Sequence, residues 1–167
     1  NTLTIATNAI FALAGKNLTI SSTFSNNGTF RLYGTETITT ITQDTNSGTW
    51  EYVGDGDGIA ETITIKDFGT TDYFNLLIND TSGVSDSFQL GAAFYVAGAL
   101  TVTDGAFLGQ AQTMDVDGNL TIGAAGNMTA TTNAVFTLGG DFTNAGVWSH
   151  TSGTLTLDKA SGVQTIT

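Results

Sequence analysis

The sequence predicts an all-β protein, a parallel β-solenoid of about seven or eight coils with about 20–22 residues per coil, filling residues 1–167 as a single domain. Three observations carry this. The phrase Val96-Ala97-Gly98-Ala99-Leu100-Thr101 returns as Val116-Asp117-Gly118-Asn119-Leu120-Thr121 and again as Leu138-Gly139-Gly140-Asp141-Phe142-Thr143, at steps of 20 and 22 residues. A second phrase follows each copy: Gly105-Ala106-Phe107, Gly126-Asn127-Met128 and Gly146-Val147-Trp148, at steps of 21 and 20. Between the glycines, apolar residues and threonines alternate with a period of two, which is the period of a strand and not of a helix.

From the start of the chain, Thr7–Gly15 reads as a copy of Thr132–Gly140, offset by 125 residues. Thirteen residues past Gly15 comes Gly28-Thr29-Phe30, and thirteen past Gly140 comes Gly153-Thr154-Leu155, so a larger unit of 125 residues contains the small coils. Gly28-Thr29-Phe30 also recurs one coil later as Gly48-Thr49-Trp50. Related tetrapeptides close these phrases: Glu36–Thr39, Glu61–Thr64 and Gln164–Thr167. The spacing from phrase to tetrapeptide varies, which marks the loop where insertions are tolerated. Tyr73–Ile78 reads as one strand and Asn79–Asp86 as the polar turn after it. The first Glu-Thr-Ile-Thr, at Glu36, has no such strand behind it, so an irregular coil is expected over Thr40–Ser47.

Parallel stacking at about 4.8 Å places equivalent residues of successive coils above one another. Leu100, Leu120 and Phe142 are expected in one apolar column, Phe107, Met128 and Trp148 in a second, and Phe30 above Trp50. The corner glycines are expected where a Cβ would clash or a left-handed backbone is needed. The 32 threonines suit solvated strand faces, and the absence of proline suits a fold that uses nearly every backbone N–H. Seven or eight such coils imply a rod about 35 Å long.

The Glu61–Ile65 strand, the Tyr73-Phe74-Asn75-Leu76 strand, then Gly98–Val102, Gly105–Phe107 and Phe142–Gly146, resemble the repeat regions of large bacterial and archaeal surface proteins. These are similar to filamentous-haemagglutinin-type adhesins and other extracellular β-solenoid repeats. The resemblance covers nearly the whole chain and implies a cell-surface or secreted scaffold with no active site.

Composition narrows the alternatives. Fifteen acidic residues against four basic ones (Lys16, Arg31, Lys66, Lys159) give a net charge of −11, which repels nucleic acids and anionic membranes. No apolar run is long enough to insert in a bilayer, and with no cysteine there are neither disulfides nor thiolate metal sites. A chain starting at Asn1 without a signal-peptide core is expected to be processed or cut from something longer. Asp55, Asp57 and Glu61 offer hard oxygen ligands for calcium but lack a full calcium-loop spacing, and a plain Asp/Gly turn explains them. Asp115 and Asp117 share a strand face as an acid–base pair would, yet fall at a corner of the main phrase. His150, the single histidine, has no partner for a triad or a histidine-rich metal site and reads as an exposed polar residue.

Five Asn-x-Thr sequons, at Asn17, Asn27, Asn79, Asn119 and Asn127, allow surface glycans without arguing for them. The pairs Thr37/Thr39, Thr62/Thr64 and Thr154/Thr156 invite an ice-binding reading, but they fall at different places in the repeat. Four scattered basic residues do not supply the carboxylate-plus-cation clusters of solenoid lyases and hydrolases, so no enzyme, no catalytic or metal residue and no cofactor is expected. The expectation is an extracellular structural protein, a segment or subunit of a surface filament, stalk or adhesin scaffold. Its partners would be further copies stacked end to end, or flanking repeats of a longer chain. The alternative is a module binding carbohydrate or host surfaces, which would require aromatics such as Trp148 or Tyr73 to line a groove.

Overall fold

The computed structural model describes residues 2–39, 41–80 and 83–167, with Asn133 described by its backbone only. The chain winds through eight turns of a parallel β-solenoid with three strand-bearing faces. The first turn holds β1 (Leu3–Ile5), β2 (Ile10–Ala12) and β3 (Leu18–Thr19), and the second β4 (Phe24–Asn26), β5 (Thr29–Leu32) and β6 (Ile38–Thr39). The third has β7 (Thr49–Tyr52) and β8 (Thr62–Thr64), and the fourth β9 (Asn75–Asn79) and β10 (Ser87–Gln89). In the fifth and sixth, β11 (Phe94–Val96) and β13 (Met114–Val116) each lead into a long strand that bends around a corner, β12 (Leu100–Leu108) and β14 (Leu120–Thr129). The seventh has β15 (Thr132–Leu138), β16 (Phe142–Asn144) and β17 (Val147–Ser149), and β18 (Ser152–Leu157) opens the eighth. No helix is present among the described residues, and hence none that crosses a membrane.

The middle face is the spine of the molecule. Its strands run β2, β5, β7, β9, β12, β14, β16 without a break, and Phe142 bridges onward to Ile166. One inward column therefore extends from end to end: Phe11, Phe30, Trp50, Leu76, Leu100, Leu120, Phe142 and Ile166. The expected Leu100–Leu120–Phe142 column and the Phe30–Trp50 pair are its interior. Phe107, Met128 and Trp148 stack in register on the third face, continued by Phe88 and Ile63. The first face carries Phe94, Met114, Phe136 and Leu155.

At the corners the glycines are required mainly by close approach. A Cβ on Gly118 would lie 2.4 Å from the Gly98 carbonyl oxygen, and one on Gly140 would lie 2.3 Å from that of Gly118. The next corner repeats this, with Gly126 facing Val102 O at 2.2 Å and Gly146 facing Gly123 O at 2.2 Å. Glycine two residues before an inward apolar side chain thus recurs at corners leading onto both the middle and the third face. Gly28 and Gly48 belong to the same corner as Gly98, Gly118 and Gly140, since each precedes a residue of the same inward column.

Strand pairing corrects the 125-residue unit. Phe11 of the first copy lies on the middle face, whereas its counterpart Phe136 lies on the first face. Glu36–Thr39 and Glu61–Thr64 supply third-face strands, while Gln164–Thr167 runs beside β16 on the middle face. The offset survives in sequence, but the copies are turned by one face about the axis.

Two further expectations are corrected. Coil length spans more than 20–22 residues: Phe11 pairs with Phe30 after 19 residues, and Trp50 with Leu76 after 26. Tyr73–Ile78 is not one strand. Tyr73 bridges Val96 on the first face, the chain turns at Phe74, and β9 begins at Asn75 on the middle face. The irregular coil falls where expected, since no strand forms over Ile41–Ser47; Asp44 instead accepts the Asn26 N–H at 2.7 Å. Thr40, and Thr81 and Ser82 of the polar turn, lie outside the described residues.

Gly118→Ala forces two backbones apart, whereas Gly83, with φ +87° and no atom within 4 Å of a Cβ, meets only its left-handed conformation, a cost of about 1–2 kcal/mol. Thermal melts of the two variants are expected to show a much larger loss for Gly118→Ala; equal losses would contradict corners closed by backbone contact.

Candidate functional site

Of the two aromatics named for a carbohydrate groove, one is in the core and the other ends an apolar column, partly buried. Tyr73 is fully buried, its hydroxyl 2.9 Å from that of Tyr52 and donating to Lys66 O at 2.6 Å. Burial holds both phenols well above their ordinary range. Trp148 caps the third-face column against Phe136 and Phe142. His150 is not a simple exposed residue: its ring stacks on Trp148, with centroids 6.2 Å apart and planes 2° from parallel.

Asp117 is engaged by a neighbouring coil and not by Asp115 alone. Tyr95 donates a short hydrogen bond to Asp117, and that bond pushes the Tyr95 hydroxyl up to about 12. Asp115 stands in the outward column between Tyr95 and Thr137, raised by partial burial and by Asp117. Among the sequons, Asn17, Asn27, Asn119 and Asn127 are exposed, while Asn79 is half-buried and donates to Glu51 Oε1 at 2.9 Å. The threonine pairs on β6 and β8 share a face, but the two strands are not paired with each other, so no continuous threonine sheet forms there.

Charge concentrates at the corner between the middle and third faces of the third and fourth turns. Asp55 and Asp57 make two successive Asx turns, accepting the Asp57 N–H at 3.1 Å and the Ile59 N–H at 2.7 Å. Behind them stand two carboxylates from the turn expected to be polar and solvent-facing, Asp80 and Asp86, each 1% exposed. Asp86 Oδ1 accepts the Glu61 N–H at 2.9 Å, and the Asp86 N–H donates a short bond to Asp80 Oδ2. Asp86 Oδ2 is buried with no hydrogen-bond partner.

Burial, with Asp80, Asp55 and Asp57 nearby, raises Asp86, and Asp55 above all raises Glu61. The nearest cation, Arg31, is engaged by buried Glu51 at 2.8 Å across an open pocket of about 270 Å³ beside Gly54 and Asp55. Among the described residues, no three His, Asp or Glu side chains already converge as a metal centre. The only signal in the sequence for the buried pair was two aspartates bracketing the turn after β9.

Two other buried carboxylates hold coils together. Glu36 accepts the N–H groups of Gly15, Tyr33 and Gly34 at 3.0, 2.9 and 2.8 Å. Asp72 accepts those of Phe68 and Tyr95, both at 2.9 Å, and burial raises its carboxyl.

The remaining features are the two ends. At one, the outer edge of β2 has no strand beside it among the described residues, and Ile10 and Phe11 are 57% and 36% exposed. At the other, Ile166, bridged to Phe142 of β16, is 57% exposed, and Val163 in the bend before it is 82% exposed. No protein-family model, curated protein or solved structure matches this chain.

Four carboxyls (Glu61, Asp72, Asp86 and Asp115) are raised in the folded chain, while Asp141 is lowered by its 2.7 Å bond from Lys159. The raised groups bind protons more tightly folded than unfolded. Their stabilisation is full below the ordinary carboxylate value of about 4 and is lost as pH rises through the raised values. In chelator-containing buffer the melting midpoint is expected to be higher at pH 5 than at pH 7, with the gain reduced in Asp72→Asn. A midpoint falling steadily from pH 7 to pH 5 would contradict this balance.

Proposed function

We propose that this chain is an extracellular structural protein, a rod-shaped segment or subunit of a surface filament, stalk or adhesin scaffold. The observation that carries the reading is the pair of apolar sheet ends on one continuous spine, neither paired onward among the described residues. An edge that presents free N–H and C=O groups recruits another strand, and repeat arrays ordinarily close such ends with polar caps. The column that buries Phe30 and Leu120 completely leaves Phe11 and Ile166 part-exposed, so a further coil at either end would complete it.

The sides are unsuited to the same use. A net charge of −11 sets rods apart laterally while the ends attract, which favours linear growth. The occupant of each end is a second copy of this chain or an adjoining repeat of the same polypeptide. Stacking one end on the other is heterologous, so copies joined this way form an open filament.

Blocking one end at a time tests this. An Ile10→Lys/Phe11→Lys variant and a Val163→Lys/Ile166→Lys variant are each expected to stay monomeric in light scattering, where the unaltered chain forms rods visible by negative stain. Mixing the two variants should give a one-to-one dimer through their intact ends. An unaltered chain that stays monomeric at hundreds of micromolar would refute self-stacking.

A further inference from the structure

We propose that the acidic corner formed by Asp80, Asp86, Asp55 and Glu61 is a calcium-binding site that ties the third turn to the fourth. The starting observation is Asp86. Its side chain is all but removed from solvent, Oδ1 is satisfied by the Glu61 N–H, and Oδ2 has no partner. An unpartnered carboxylate oxygen in that setting calls for a proton or a cation.

The surroundings favour a cation. Asp86 Oδ2 and Asp80 Oδ1 face the same space: a Cβ on Gly54 would lie 2.5 Å from the first and 2.9 Å from the second. Glycine at position 54 keeps that space open. Asp55 follows Gly54 directly, and Glu61 is tied to the same corner by its N–H, which donates to Asp86 Oδ1 at 2.9 Å. Arg31 is already paired with Glu51, and Lys66 reaches Gly34 O instead.

The ligand chemistry selects the ion. Every available donor is a hard oxygen; the chain has no cysteine, and its single histidine lies beside Trp148, far along the rod. Calcium takes six to eight such oxygens at about 2.3–2.6 Å in flexible geometry, whereas magnesium demands a near-ideal octahedron. The buried pair Asp80 and Asp86 supplies the fixed side of the site. Asp55 and Glu61, on a loop whose Gly54, Gly56 and Gly58 all have positive φ, turn in as the ion enters.

The test uses the whole chain in chelator, in 1 mM calcium and in 1 mM magnesium, with thermal melts and calorimetric titration. Calcium should raise the melting temperature by several degrees, and magnesium should do much less. Asp86→Asn should melt no lower than the unaltered chain in chelator and lose at least tenfold in calcium affinity. If that variant does not fold, the Asp55→Asn/Glu61→Gln variant, altered at the solvent side, should keep the chelator melting point and bind calcium at least tenfold more weakly. The proposal is overturned if 1 mM calcium leaves the melting temperature unchanged, or if the variants keep the original affinity. It is equally overturned if acidification to pH 5 alone stabilises the corner, is lost in Asp86→Asn, and calcium has no effect, since Asp86 would then hold a proton.

Discussion

Carbonyl oxygens of one coil occupy the places where Cβ atoms of the next coil's corner residues would stand, and the rest of the structure follows from that contact. At Gly118 and Gly140 the backbones approach so closely that any side chain would separate the coils. The approach is what lets N–H groups reach across the corner, as when Gly118 donates to Gly98 O at 2.9 Å and Gly139 to Val116 O at 2.8 Å. With the corners closed, the three faces come into register and their inward side chains form unbroken columns. Buried apolar surface then supplies most of the stabilisation, but the corners decide which residues can share it.

The columns and the glycines were legible because both recur at a fixed spacing, and a period of two leaves little freedom over which side chains point inward. What the repeats concealed was that corners onto different faces can carry the same phrase. Gly-x-apolar leads onto the middle face at Gly118, onto the third at Gly126 and, once, onto the first at Gly153. A sequence match between two such phrases therefore identifies a corner without saying which one, and the 125-residue echo came out turned by a face. Tyr73–Ile78 misled for a related reason: an apolar run can pass around a corner where an asparagine does a glycine's work, as Asn75 Oδ1 does in accepting the Ala99 N–H at 2.8 Å.

The acidic corner was least legible. Asp80 and Asp86 sit in a stretch whose composition reads as solvent-facing, and their burial arises only because neighbouring turns pack over them. Pattern reasoning assigns polar loop residues to the surface. It has no means of detecting a carboxylate enclosed by insertions in the turns beside it. The same insertions lengthen the step from Trp50 to Leu76 to 26 residues, so the longest step of the inward column adjoins the acidic corner. The regular turns from β11 onward carry the repeat, and the irregular ones carry the charge.

In-register parallel stacking is the claim on which all of this stands, and the absence of native cysteine makes it directly measurable. Thr101 pairs with Thr121, and Thr121 with Thr143, on the outer side of the middle face. A disulfide needs Cα atoms within about 4.4–6.8 Å, a span met by adjacent coils and not by coils two apart. Cysteine pairs at 101/121 and 121/143 should therefore oxidise readily within the folded monomer, while the pair at 101/143 should not. Efficient cross-linking at 101/143, or none at the two adjacent pairs, would contradict the stacked register.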